Sequence, residues 1–217
     1  MRTFGFPEFL FILEAAQWTL ALSAIAFVGG AILGLAIALM RTSESAWARG
    51  VSTTFIQIFQ GTPLLLQLFL VFFGAPVLGL DINPWVAAGV ALVLNSAAFL
   101  GEIWRGCIEA IPRGQWEAAQ ALSLNYSARM RDVVLPQAFR IALAPTVGYL
   151  VQIIKGTSLA AIIGFVEVTR AGQIVNNATF QLLIVFSVVA AIYFVICWPL
   201  SLLAARMERK RARALAR

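Results

Sequence analysis

The chain has no histidine and only two cysteines, Cys107 and Cys197. Lack of imidazole removes the commonest general base and the commonest metal ligand. Two cysteines in or beside apolar runs give no basis for a disulfide framework or a Cys/His metal site. Aspartate is as scarce, with Asp81 and Asp132 alone, and both fall between the apolar runs. A Ser/His or paired-aspartate arrangement within a membrane is therefore out of reach, and with it an intramembrane enzyme. The only lysines, Lys155 and Lys210, follow Ile154 and Arg209, so no Gly-Lys-[Ser/Thr] phosphate loop exists and the chain carries no P-loop ATPase of its own. Charge of any sign is thin. Asp, Glu, Lys and Arg make up 12% of 217 residues, against about 25% in soluble domains. Too few ionisable groups remain to solvate a globular surface.

What is abundant is hydrocarbon: 61% of residues are hydrophobic and the mean hydropathy is +0.88. A membrane-crossing helix needs about 20 apolar residues. The sequence offers five such stretches, at about 18–40, 53–78, 84–104, 138–164 and 181–205. Pro63 and Pro76 mark bends or ends of the second, and Lys155 interrupts the fourth. Residues 1–17 read as a short interfacial lead-in that is retained: Phe9–Leu13 is too short for a signal peptide and is flanked by Glu8 and Glu14. Gly30 and Gly34 form a small-xxx-small face suited to close helix packing within the chain. Trp18, Trp85 and Trp104 sit near span ends, as interfacial anchors do.

The net charge of +6 and pI of about 10.2 would fit a nucleic-acid binder, but the basic residues are distributed otherwise. Arg41 and Arg49 follow the first span. Arg105, Arg113, Arg129, Arg131 and Arg140 lie between the third and fourth. Arg206, Arg209, Lys210, Arg211, Arg213 and Arg217 follow the fifth. All lie on one side of the five-span arrangement, leaving Arg2 and Arg170 on the other. The bias of cytoplasmic loops toward Arg and Lys then puts the N-terminus outside and the C-terminus in the cytoplasm. No nucleic acid is needed to explain the pI; anionic headgroups are the expected neighbours of these arginines.

One connection stands out, the segment 112–136. Pro112 and Gly114 break the preceding helix, Gln115–Leu122 is rich in helix formers, Asn125 caps a second short helix and Pro136 stops it. Ala119, Leu122, Tyr126, Met130 and Val133 make an apolar stripe. On pattern alone it serves equally as a helix lying on lipid or one gripping a soluble partner.

The residues go beyond pattern. Glu117-Ala118-Ala119, then Ser123, then Val133-x-Leu135-Pro136 resembles the EAA loop of bacterial ABC import permeases. Gln60-Gly-Thr-Pro-Leu-Leu-Leu-Gln67, Asn95-Ser-Ala-Ala-Phe99, Glu102-Ile-Trp-Arg-Gly106, Ile111-Pro-Arg-Gly-Gln115 and Lys155-Gly-Thr-Ser-Leu159 resemble the polar amino acid (histidine/glutamine/glutamate-type) permeases over about residues 17–206. Two departures stand out. Ser123 replaces the expected glycine, so a tight turn there requires serine to tolerate unusual backbone angles or the turn to shift. Gly156 stands where that family often has Asp or Asn.

The resemblance implies an all-α integral membrane protein, a single permease domain over 1–217 with five transmembrane helices and the type I ABC importer permease fold. It implies a bacterial inner-membrane subunit working with two ABC ATP-binding subunits, a second copy or a sister permease, and an external amino-acid-binding protein. ATP and Mg would belong to the partner ATPase, with no cofactor in this chain. Glu117, Ala118 and Ala119 would lie at the ATPase contact, with Leu135 and Pro136 fixing the start of the fourth span. Arg113 would anchor the loop, pair with Glu117 or bind headgroups. Among the polar groups inside the spans, Asn95, Lys155, Thr157 and Ser158 are candidates for the substrate pathway. Lys155 alternatively snorkels or pairs with Glu167 or Glu102. Glu167 is a candidate for a substrate amino group, or else a gate or surface charge. An importer of a related solute such as an opine fits the same pattern, and a stand-alone carrier leaves the EAA-like loop unexplained.

Overall fold

The structure is a computed structural model that describes residues 3–215; Arg2 and Arg217 of the charge count lie outside the described residues. Helix α1 (Phe6–Thr42) is followed by α2 (Ala46–Gly61), α3 (Leu64–Val77) and α4 (Pro84–Glu109). Then come α5 (Arg113–Ala121), a one-turn α6 (Tyr126–Ala128), a π-helical turn (Arg129–Val134) and α7 (Leu135–Gly156). A 3-10 segment (Thr157–Ile163), α8 (Val168–Thr179) and α9 (Leu182–Leu215) complete the chain, with no strand among the described residues. Among the described residues, four helices are long and apolar enough to cross a membrane, and the bent pair α2–α3 makes up to five spans.

Helix α1 begins well before the expected interfacial boundary. Its first turn is closed by the carboxylate of Glu8, which accepts from the Gly5 backbone N–H at 3.0 Å, and Pro7 sits where a missing N–H costs nothing. The lead-in is thus part of the bundle: Ile12 and Ala15 are buried against Val168, Ala171, Val185 and Val189 of α8 and α9.

The bundle is organised around α1 and α4, which approach at glycine. A Cβ on Gly30 would lie 2.5 Å from that of Ser96, and one on Gly101 would lie 2.8 Å from the Ile37 side chain. Gly34 faces the Ala97 carbonyl and the Gly101 N–H with the same lack of room. With little hydrophobic drive between helices in lipid, such close backbone contact supplies the dispersion energy that holds them. The Gly30/Gly34 face is therefore an intrasubunit seam. Large apolar side chains on the perimeter, among them Leu183, Phe194, Val195 and Trp198 of α9, are exposed, as lipid-facing surfaces are.

Candidate functional site: a helical hook and two chain breaks

The first break is at Thr62-Pro63, where α2 and α3 meet at 100°. Ending a helix inside an apolar bundle strands its last carbonyls, and two amide side chains meet them. Gln67 Nε2 donates to the Phe59 carbonyl at 2.8 Å and to the Thr62 carbonyl at 3.0 Å. Asn95 Nδ2 in turn donates to Gln67 Oε1 at 3.1 Å, and Gln60 Nε2 to the Ala98 carbonyl at 3.2 Å. Asn95 is therefore buried behind the break, holding it to α4. Its donors are consumed by the chain itself, so it faces the break and not open space.

The second break follows Lys155. Helix α7 gives way to the 3-10 segment, which ends at Gly164 in the left-handed region (φ 87°). The hydroxyls of Thr157 and Ser158 donate to the carbonyls of Ile154 and Lys155, both at 2.7 Å. Thr157 is completely buried, whereas Ser158 is half-buried and Lys155 exposed. The breaks lie side by side: a Cβ on Gly156 would meet the Leu64 side chain at 3.2 Å.

Lys155 forms no ion pair with Glu102 or Glu167, against the pairing considered from sequence. Glu102 is bound to Arg105, at 2.9 Å from Nε and 2.5 Å from Nη2. Glu167 is fully buried. Its carboxylate accepts from Tyr193 Oη at 2.6 Å, from the backbone N–H groups of Thr169 and Arg170 at 2.9 Å, and from Thr19 Oγ1 at 3.5 Å. It caps α8 and ties it to α1 and α9, so it is not a surface charge here. Tyr193, Gln67 and Tyr149, whose hydroxyl donates to Asn95 Oδ1 at 3.5 Å, complete these networks and do not stand out in the sequence. The second glutamine of the Gln60–Gln67 run was the signal available for one of them.

The third feature is a hook at the arginine-rich end. Helix α5 closes in a turn where Ser123 adopts the left-handed conformation (φ 57°). There Leu124 N–H bonds to the Ala119 carbonyl at 3.2 Å and Ser123 N–H to that of Gln120 at 2.8 Å, the Schellman pairing that usually ends on glycine. Serine thus takes the unusual angles itself and the turn does not shift. Asn95's counterpart here is Asn125, which starts the next helix by accepting from Ala128 N–H at 2.9 Å.

Pro136 does not stop that helix. The chain runs on from Tyr126 to Ile163, and the π-helical turn over Arg129–Val134 changes the hydrogen-bond register just before the proline. Gln137 Nε2 additionally donates to the Val133 carbonyl at 2.8 Å.

Arg113, Glu117 and Ala118 are exposed on α5, with no Arg113–Glu117 ion pair among the described residues. Ala119 points the other way and is buried, so it supports the hook from beneath. Leu122 leaves the expected stripe: as the last residue before the turn it is 75% exposed. The hook rests on a core of Cys107, Ile108, Ile111, Met130, Val134 and Ala138. Tyr126 Oη anchors it by donating to the Thr42 carbonyl at 2.9 Å. Leu135 is half-buried beside that core.

Membrane-length helices with a broken span, and a hook presented from one end, are the architecture of a membrane component. A profile of the binding-protein-dependent transport system inner membrane components matches residues 17–213, and the chain belongs to that family. Relatives include a probable amino-acid ABC transporter permease protein, YckA of Bacillus subtilis, 35% identical with 94% of this chain and 91% of the relative covered. The glutamine transport system permease protein GlnP of Escherichia coli is 36% identical, with 94% of each covered. The arginine transport system permease protein ArtQ of Bacillus subtilis is 37% identical over the same shares. A solved amino acid ABC transporter superposes with a TM-score of 0.87 at 32% identity, covering 96% of this chain and 100% of that one. The inward-facing MetNI methionine ABC transporter shares the fold, with a TM-score of 0.79 at 18% identity over 95% of this chain and 99% of that one. The fold is that of the type I ABC importer permeases, in the inner membrane.

Proposed function

We propose that this chain is the permease subunit of an ATP-driven importer of polar amino acids, and that its hook receives the motion of a separate ATP-binding subunit. The observation that carries the reading is the hook's construction. A short helix with small, exposed residues at Gly114 and Ala118 stands on a buried apolar base, braced at the Ser123 turn and at Tyr126. Small side chains let a partner's backbone come close, and the rigid base passes a push to α7 and, through it, to the break at Gly156. Arg113 and Glu117 flank the contact and offer one charge of each sign. The hook side is then cytoplasmic and the N-terminus outside, in keeping with the arginine-rich loops.

A full assembly on this reading has two ATP-binding subunits holding ATP and Mg, a second copy or sister permease, and an external binding protein. The substrate pathway runs past the two breaks. Lys155 and Ser158 form its open part, with Asn95, Thr157 and Glu167 fixing the surrounding backbone from behind. Reconstitution with the cognate ATPase tests the proposal: a polar-amino-acid-loaded binding protein should stimulate ATP hydrolysis. Absence of stimulation by every polar amino acid would remove the substrate assignment.

A further inference from the structure

The comparisons include relatives for glutamine and for arginine at nearly equal identity, so overall similarity leaves the charge of the substrate side chain open. The charges beside the breaks do not. Lys155 lies fifteen residues along a continuous helix from Arg140, about 22 Å at 1.5 Å per residue. That is still within a hydrocarbon core of about 30 Å. It is exposed and has no ion-pair partner among the described residues. One turn before it, Gln152 is also exposed, so two polar side chains share an open face at a depth where lipid would penalise both.

No carboxylate accompanies them. Glu102 is held by Arg105, and Glu167 is buried under four donors. The remaining acids, Glu8, Glu14, Glu44, Asp81, Glu109, Glu117, Asp132 and Glu208, lie in loops, on the hook or towards helix ends. The residue next to Lys155 is Gly156, and the space its side chain would take is bounded by Leu64 and Leu92 at 3.2 and 3.7 Å. Hydrocarbon, not an acid, bounds the position that follows the cation. A second copy of the chain would add another Lys155 and no free acid.

Resting on the importer reading, we infer that the Lys155 face selects amino acids with uncharged or acidic side chains and rejects those with cationic ones. The ammonium of Lys155 pairs with the substrate α-carboxylate. Neutral oxygens at the chain breaks suffice for the α-amino group. A second cation on the substrate finds no counter-charge and is repelled by Lys155 in a site poorly screened by water.

The test is direct binding of radiolabelled glutamine, glutamate and arginine to the purified permease–ATPase complex without binding protein, which otherwise imposes its own selection. Glutamine or glutamate should bind at least about tenfold tighter than arginine, a gap worth roughly 1.4 kcal/mol. Lys155→Met should weaken glutamine and narrow the gap, and Lys155→Glu should reverse the order. Lys155 is exposed, and an unchanged elution profile checks that the variants assemble. Arginine binding as tightly as glutamine, or an order unmoved by Lys155→Glu, overturns the inference. Binding of none of the three, with binding-protein-stimulated hydrolysis intact, overturns it while leaving the importer reading standing. Loss of all stimulation in the unmodified assembly defeats the importer reading instead.

Discussion

Gln67 reaches back across the bend between α2 and α3 to donate its side-chain amide to the carbonyl of Phe59, 2.8 Å away. One side chain thereby stands in for the helical turn that Pro63 forbids, and Asn95 holds it in place. Replacing Gln67 with Leu keeps the volume, strands the Thr62 carbonyl and leaves the Phe59 carbonyl only the 3.4 Å bond from Asn95 Nδ2. A buried polar group left unmet costs about 1–3 kcal/mol, so Gln67→Leu should lower the thermal unfolding temperature in detergent. Gln67→Glu, which loses the donors and adds a charge, should lower it further.

The α1–α4 seam gives a steric prediction. Gly30→Val puts methyls where Ser96 already stands, and overpacking of this kind costs about 1–3 kcal/mol or more. Gly106, on the same α4 and with no atom within 4 Å of its would-be Cβ, serves as the control. Gly30→Val should lose folded yield and thermal stability, whereas Gly106→Ala should leave both unchanged.

At the hook, Ser123 occupies a conformation that costs an L-residue roughly 1–2 kcal/mol relative to glycine. Ser123→Gly should tighten the turn, seen as slower hydrogen exchange at the Leu124 amide. Ser123→Val should speed exchange there and leave the membrane core untouched.

Glu167 joins three helices through one carboxylate. Glu167→Ala removes the cap of α8, worth about 0.5–2 kcal/mol, and leaves the Tyr193 hydroxyl only Thr169 Oγ1, at 3.2 Å, as a partner. Unfolding should come at a clearly lower temperature than in the parent. Glu167→Gln keeps a carbonyl oxygen for the backbone donors and should lie between the two.

These sites also show which physics a single sequence exposes. Uncharged runs between arginines revealed the helices because lipid excludes charge, and Pro63 marked the break because its ring cannot continue α2. Asn125 and Ser123 were readable because capping and left-handed turns depend on local chemistry. The start of α1 was hidden: Ile12 and Ala15 matter only once α8 and α9 come to cover them. Pro136 misled because a π-helical turn upstream alters the pairing it was expected to end. Asn95 and Glu167 invited functional readings because a polar group in a span is costly. Their actual partners, Gln67 at 28 residues' separation and Thr19 at 148, are set by packing. Lys155 has two carboxylates, Glu102 and Glu167, to pair with on paper, and each is taken by another donor.

If the hook docks a separate ATPase, a cysteine at its tip will report the contact. Cys107 and Cys197 are buried and Ala118 is exposed, so Ala118→Cys can be labelled with a short photo-crosslinker in native membranes. A crosslinked band containing the ATP-binding subunit is expected, diminished when bulky Arg replaces Gly114. Crosslinking of position 118 to phospholipid alone, with the ATP-binding subunit present and unlabelled, would contradict it.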